Sequence, residues 1–367
     1  MAAVGIGSFV DASVYLLLLL SGSAQDVTWW VTAVMLANLA PPILLAPVLG
    51  WIVDRTSGRA AWAVALGLSA VCTAGLALLA SPVALVVLAA TRSTCSVVVS
   101  AAVFALLPAA RGMDDRSASS FAVGIGSVAA IGAPPLAALL AVRGVGTAFG
   151  VCAVLLAVAA LLVLRTAPRL VRAPVGATSW HEVWLGTRTL RTMTALRAFV
   201  PVLLGVVVVT SMEGVAGVFY LQEVADGAVG YALLLSAWAV GSVLGATWTG
   251  RAGSRTGAVR GILLGALVVS VAILVEGLVA SAVVIAVAFL AGGAGNAVHN
   301  VGVRNLVYER VPREQQAQVW SVVGAVFSGA AAVGNVLGTP GLLGSAVGST
   351  RGWPSAPMTS SGWVIMP

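Results

Sequence analysis

Four side chains that can carry charge stand inside otherwise apolar stretches: Asp11, Arg92, Glu213 and Glu276. In a hydrocarbon setting each costs about 2.5–3.5 kcal/mol on insertion scales, so such groups face a cavity or one another. A carboxylate in that position can take up and release a proton. Asp11 lies roughly 12 Å from one end of its segment at the helical rise, and Arg92 roughly 14 Å from the opposite end of its own. An arginine side chain bridges the remaining difference in depth, so the two are expected to pair or alternate across a central cavity. Glu213, in "TSMEGVAGVFY", has Gly214 and Gly217 beside it to open space for a substrate or proton. Glu276 is a further proton or substrate candidate in the outer half, or a residue placed near the outer interface. Asn38, Asn296, His299, Asn300 and Asn335 can line the cavity or bond between helices.

A second cluster is "GWIVDRTSGRA", residues 50–60, where Asp54, Arg55 and Arg59 fall between two long apolar runs. Asp54 can accept hydrogen bonds from the positive N-terminal end of a neighbouring helix. Gly50 lets its helix end approach a neighbour. The two arginines hold the turn near anionic headgroups.

The elements that position these groups follow from composition. The 367 residues are 60% hydrophobic and only 8% charged, with a mean hydropathy of +1.05. Soluble domains carry roughly 25% charged residues. A membrane span needs about 20 apolar residues, and eleven candidates meet that: 3–21, 28–51, 61–80, 83–106, 118–141, 146–164, 199–221, 229–249, 261–279, 282–303 and 317–343. The expected fold is therefore an all-α membrane protein. Residues 1–164 form one six-helix bundle, 165–198 a basic linker, and 199–343 a second bundle with five visible helices. In the linker, Ser179 and Glu182 have capping-box spacing. A short helix should follow, laying Trp184, Leu190 and Met193 against the bundle or the membrane interface.

All nineteen basic residues are arginine. Placing the N-terminus inside puts 16 of them on inner connections, the last three being Arg304, Arg310 and Arg313, and one, Arg143, outside. Cytoplasmic loops retain Arg and Lys, so the expectation is a multi-pass plasma-membrane protein with a cytoplasmic N-terminus. The positive charge is a topology signal, and no basic patch with interleaved aromatics points to nucleic acid. Cys72, Cys95 and Cys152 lie far apart in apolar runs and read as packing residues, without disulfide or metal spacing.

The chain repeats itself. "GRAGSRTG", residues 250–257, follows the eighth run as "GWIVDRTSG" follows the second. Gly250, Ser254, Arg255 and Gly257 echo Gly50, Asp54, Arg55 and the turn glycine Gly58. Parallel six-helix repeats are a transporter plan. "GWIVDRTSGR" resembles the signature loop of the major facilitator superfamily, Gly-x-x-x-Asp-Arg-x-Gly-Arg, with one extra residue, Ser57, before Gly58. The resemblance covers residues 1–343. It implies that Gly50, Asp54, Arg55, Gly58 and Arg59 form a conformational switch, in which the aspartate latches the inner ends of the two bundles in an outward-facing carrier.

Two further stretches resemble patterns of that superfamily. "TRSTCSVVVSAA" is similar to the fourth-helix pattern whose arginine is implicated in proton coupling. Only Arg92 carries over, because Cys95, Ser96 and Val98 replace its Gln, Gly and Gly. "GIGSVAAIGAPPLAALL" resembles the fifth-helix antiporter motif through Gly124, Gly132 and Pro134, with Ala133 intervening and alanines in place of the later glycine pair. "ERVPREQQAQVWSV" is similar to the drug and macrolide efflux branch.

The resemblance thus implies a secondary active transporter, exporting small amphipathic compounds in exchange for protons by alternating access. No cofactor, metal or nucleotide is expected, since a G-x-x-x-x-G-K-[ST] loop needs the lysine this chain lacks. No nucleophile–His–acid set suggests an enzyme. The expected partners are a small-molecule substrate, protons and membrane lipid, with the chain a monomer. Residues 344–367 hold no apolar run, so a twelfth helix is expected to be lacking. The alternatives are an importer or a metabolite exporter of other specificity, or a truncated, non-transporting membrane remnant.

Overall fold

The computed structural model describes residues 1–23, 30–79, 81–110, 112–168, 183–192, 194–226, 228–251 and 257–338. The capping-box residues Ser179 and Glu182, Met193, the pair Ser254 and Arg255, and the tail 344–367 lie outside the described residues. Every regular element among those described is helical. The helices are α1 (Ala2–Ser23), α2 (Trp30–Arg55), α3 (Gly58–Leu78), α4 (Pro82–Leu106), α5 (Asp115–Val142) and α6 (Val145–Thr166). A short α7 (Leu185–Thr192) leads to α8 (Thr194–Val224), α9 (Ala228–Arg251), α10 (Ala258–Leu278), α11 (Ala282–Arg310) and α12 (Gln316–Leu337). Each of the eleven expected runs is one of these helices. Ten are long and apolar enough to cross a membrane.

Helix starts follow the local chemistry. Ser57, the residue inserted into the signature loop, is the N-cap of α3, and its hydroxyl accepts from Ala60 N at 3.4 Å. Pro82 opens α4, where its missing N–H costs nothing. Gly144, at φ 115°, makes the turn into α6.

Proline is handled inside α2, which contains Pro41, Pro42 and Pro47. Pro42 has no N–H for the carbonyl four residues earlier, at Asn38. The Ser93 hydroxyl of α4 donates to that Asn38 oxygen at 2.7 Å, restoring the lost bond from a neighbouring helix.

The peripheral helices present apolar surface outward. Val64, Leu68 and Val71 of α3, Val154 and Leu161 of α6, and Leu263, Leu264 and Leu267 of α10 are all exposed. Such a continuous apolar girdle is stable only against lipid. The opposite faces are packed: α3 lies on α4 and α6, and α11 lies between α9 and α10. The contact of α9 with α11 is backbone to backbone. A Cβ on Gly241 would enter the Leu290 carbonyl, and one on Gly293 the Trp238 carbonyl. Ser242 Oγ donates to Gly293 O at 3.1 Å across this seam.

Two boundaries differ from the sequence reading. The helix α8 starts at Thr194, inside the expected linker, because "TALRAFVP" continues the helical pattern through its two polar turns. Arg304, read as a residue of an inner connection, lies within α11, which runs on to Arg310.

Candidate functional site

Asp54, in the last turn of α2, aims its carboxylate at the first turn of α12. Oδ2 accepts from Gln318 N at 2.8 Å and Oδ1 from Ala317 N at 3.3 Å. Those backbone N–H groups are ones a helix start leaves without intrahelical partners, and the helix dipole adds to the attraction. Gly50, one turn earlier, makes the approach possible, since a Cβ there would lie 2.6 Å from Gln318 Cα and 2.7 Å from Ser321 Oγ.

Gln318 also reaches the linker. Its Nε2 donates to Val183 O, and a Cβ on Gly186 of α7 would lie 2.8 Å from its Cγ. Thr189 of α7 donates to Gln315 Oε1 at 3.1 Å. The short helix thus seats Gly186 and Thr189, both buried, on the α12 start, while Trp184 stays 59% exposed. Leu190 packs on the adjoining core.

The rest of the signature loop braces the turn. The Arg55 guanidinium lies 5.1 Å from the Trp51 ring centroid. Arg59 Nη1 donates to Ala167 O, the C-cap of α6, at 3.5 Å. Gly58 faces Leu106 of α4 at 3.4 Å. In the second copy, Gly250 of α9 faces Ser120 of α5 at 3.2 Å, as Gly50 of α2 faces α12. Gly257 is the N-cap of α10, the place Ser57 holds before α3.

The same end of the molecule is closed at two more places. Arg116 of α5 pairs with Glu309 of α11 at 3.6 Å. Phe104 of α4 is fully buried among residues of α8, α10, α11 and α12. Its ring stacks with Tyr308 at 4.1 Å and with Trp320 at 4.5 Å. The Tyr308 hydroxyl donates to Phe104 O at 2.5 Å, and Trp320 Nε1 to Ser100 Oγ at 3.1 Å.

Deeper in, Arg92 of α4 meets Asp11 of α1, Nη2 to Oδ1, at 2.5 Å. Ser96, one turn on from Arg92, donates to Asp11 Oδ2 at 3.4 Å. The arginine side chain is 4% exposed and the aspartate 43%, so the cation is sealed while the carboxylate keeps an open face.

Glu213 of α8 and Glu276 of α10 converge on one glycine. A Cβ on Gly217 would lie 3.0 Å from Glu213 Oε1 and 3.1 Å from Glu276 Oε1. Glu276 is buried against the neighbouring helices, and its Oε2 finds no partner among the described residues. Tyr220 donates its hydroxyl to Glu276 O at 3.2 Å, tying the two helices together.

In α5, Gly132 faces Phe9 of α1 at 4.0 Å and Gly124 faces Ala246 of α9 at 3.6 Å. The helix continues past residue 134 to Val142; the ring of Pro134 lies outside the described side chains. His299 Nδ1 is 3.1 Å from Ile262 O, an interhelical contact between α11 and α10.

Sequence reasoning did not find Gln318, Phe104, Tyr308 and Trp320, which close the arginine-rich end beside Asp54. The available signal was the "QQAQVW" start of α12, polar residues at the mouth of an apolar run. Among the described residues no group of His, Cys, Asp and Glu is arranged to hold a metal.

The family model described as the Major Facilitator Superfamily matches residues 1–335. No curated protein sequence matches the chain. Among solved structures, the human organic anion transporter MFSD10 (TETRAN) is similar, with a TM-score of 0.73 at 17% identity over 91% of each chain. The E. coli fucose:proton symporter FucP gives 0.70 at 15% identity, covering 95% of this chain and 91% of that one. The nucleoside transporter NupG gives 0.59 at 16% identity, covering 92% and 90%. The likeness of fold, the repeated turn and the match across nearly the whole chain place this multi-pass membrane protein in the Major Facilitator Superfamily, as a transporter of small molecules and not an enzyme.

Proposed function

We propose that the chain is a proton-coupled exporter of small amphipathic compounds, of drug or macrolide type, in the plasma membrane with its arginine-rich side cytoplasmic. It works as a monomer, with residues 1–164 and 199–343 as the moving bundles. The observation that carries the reading is the Asp11–Arg92 pair, with its arginine buried and its carboxylate half-open. A charge pair inside the membrane is retained at a desolvation cost that outweighs its packing value. The half-open carboxylate gives a proton a way in, and protonation cancels the attraction that holds Arg92 in place. The free cation then has to find another position, which couples proton entry to rearrangement of α1 against α4.

The closed arginine-rich end suits a carrier waiting to take protons from outside. The Glu213–Glu276 pair is a second place for a proton, because two carboxylates facing one glycine repel each other when both are charged. Gly124 and Gly132 stand on the faces that α5 turns to α9 and α1, at ordinary van der Waals distances, so the antiporter-like motif supports export here by resemblance and not by close packing.

The test is substrate accumulation in cells expressing the chain, with and without an uncoupler, for Asp11→Asn beside the parent. Expected are lower accumulation with the parent, loss of that effect with uncoupler, and no pH-driven transport with D11N. Unchanged coupling in D11N removes Asp11 from the mechanism. Raised accumulation indicates import, and no effect for any compound indicates a non-transporting chain.

A further inference from the structure

Arg304 is held in an unusual way for a cation inside a membrane protein. Its guanidinium carbon lies 5.0 Å from the Phe104 ring centroid and 4.5 Å from that of Trp320. Its Nε and Nη2 groups are buried and have no hydrogen-bond partner among the described residues. Among the described residues, Arg92 pairs with Asp11 and Arg116 with Glu309. Ring quadrupoles offset part of the cost of burying such a cation, and they supply no acceptor for its N–H groups.

The rings belong to both halves of the molecule. Phe104 comes from α4, while Arg304 and Tyr308 come from α11 and Trp320 from α12. Phe104 stacks on Tyr308 and Trp320 with interplanar angles of 10° and 9°. Separating the halves at this end withdraws Phe104 from the stack. It leaves a guanidinium that is hydrogen-bonded to the Tyr308 hydroxyl, with its Nε and Nη2 donors unused beside the flat face of Trp320, in the path that has just opened to the cytoplasm.

From this geometry we infer that Arg304 is an anion-capture site, closed by Phe104 in the state seen here and exposed when the cytoplasmic end opens. Its ligand is an organic anion with a carboxylate on a flat apolar body. The carboxylate takes the unused guanidinium donors as a two-pronged pair, and the body replaces Phe104 against Trp320. Phe104 and the ligand therefore compete for one place, so the site is filled only when the gate is open. The inference rests on the transporter reading with the arginine-rich side cytoplasmic, and adds the charge of the cargo, which that reading leaves unassigned.

Binding of benzoate, benzamide and benzylamine to the purified full chain, measured by titration calorimetry without a gradient, tests it. The three probes share a ring and differ in charge. Phe104→Leu, which removes the competing ring and leaves Arg304 intact, is expected to bind benzoate at least tenfold more tightly than the parent, with benzamide and benzylamine weaker by a similar factor. Adding Arg304→Gln to F104L is expected to abolish the preference for benzoate. Should that double variant fail to fold, Arg304→Lys in the same background keeps the charge, loses the two-pronged geometry, and is expected to weaken benzoate several-fold. Equal binding of the three probes to F104L, no gain over the parent, or a benzoate preference that survives the loss of Arg304 overturns the inference. Because the readout needs neither transport nor a direction, its failure and the failure of the export reading are separate results.

Discussion

Asp54 spends its charge on two backbone N–H groups, and that choice fixes what can replace it. A hydrogen bond to a charged group contributes about 1.5–3 kcal/mol, and the helix start adds attraction for a full negative charge. Asp54→Asn keeps an acceptor and loses the charge, while Asp54→Ala loses both. D54A is expected to shift the balance toward opening by about 2 kcal/mol or more, roughly thirtyfold in the ratio of closed to open, and D54N by less. A reporter is available in Val319, fully buried at the closed end. Thiol labelling of V319C should be at least tenfold faster with D54A than with Asp54 in place, and an unchanged rate would remove the latch role. Asp54 was legible in the sequence because a short polar turn between two apolar runs has few other uses. Its partner was not, because the donors at Ala317 and Gln318 are backbone groups, which leave no mark on residue identity. The Glu213–Glu276 meeting was hidden for a related reason: each acid is visible alone as an ionisable group in an apolar run, and only the lateral placement of α8 beside α10 brings both to Gly217.

At the scale of elements, the sequence carried the helices almost completely, since an apolar run of membrane length has one solution in lipid. What it did not carry is how close pairs of helices come. Gly241-x-x-x-Gly245 and Gly261-x-x-x-Gly265 look alike on paper. Gly241, Gly245 and Gly265 are pressed onto the α11 backbone, whereas a Cβ on Gly261 would sit at an ordinary 3.6 Å from Val298 O. Gly293→Val should accordingly separate α9 from α11 and lower stability by about 1–3 kcal/mol or more, as overpacking does. Gly261→Ala should change it by less than about 1 kcal/mol. Thermal unfolding of the two variants in one detergent checks the contrast, and equal losses would contradict the packing described here.

For the whole molecule, the arginine bias sets an orientation that can be read directly. The cysteines Cys72, Cys95 and Cys152 are all buried, so an introduced thiol reports with little background. Arg188→Cys on α7 is expected to resist a membrane-impermeant thiol reagent in intact cells and to react after the cells are opened. Labelling in intact cells would invert the topology and with it the export reading. The seat of α7 has a consequence for how the two halves part. The described end of the tether is seated at the seam, because Gly186 and the Val183 carbonyl are both engaged by Gln318, the residue that Asp54 holds from the other side. Under the proposed transport cycle, undocking of the tether and release of the carboxylate are expected to be coupled, because both act on Gln318. Such a clutch is expected to give the proposed motion a threshold, returning small thermal excursions of either half before a leak path forms.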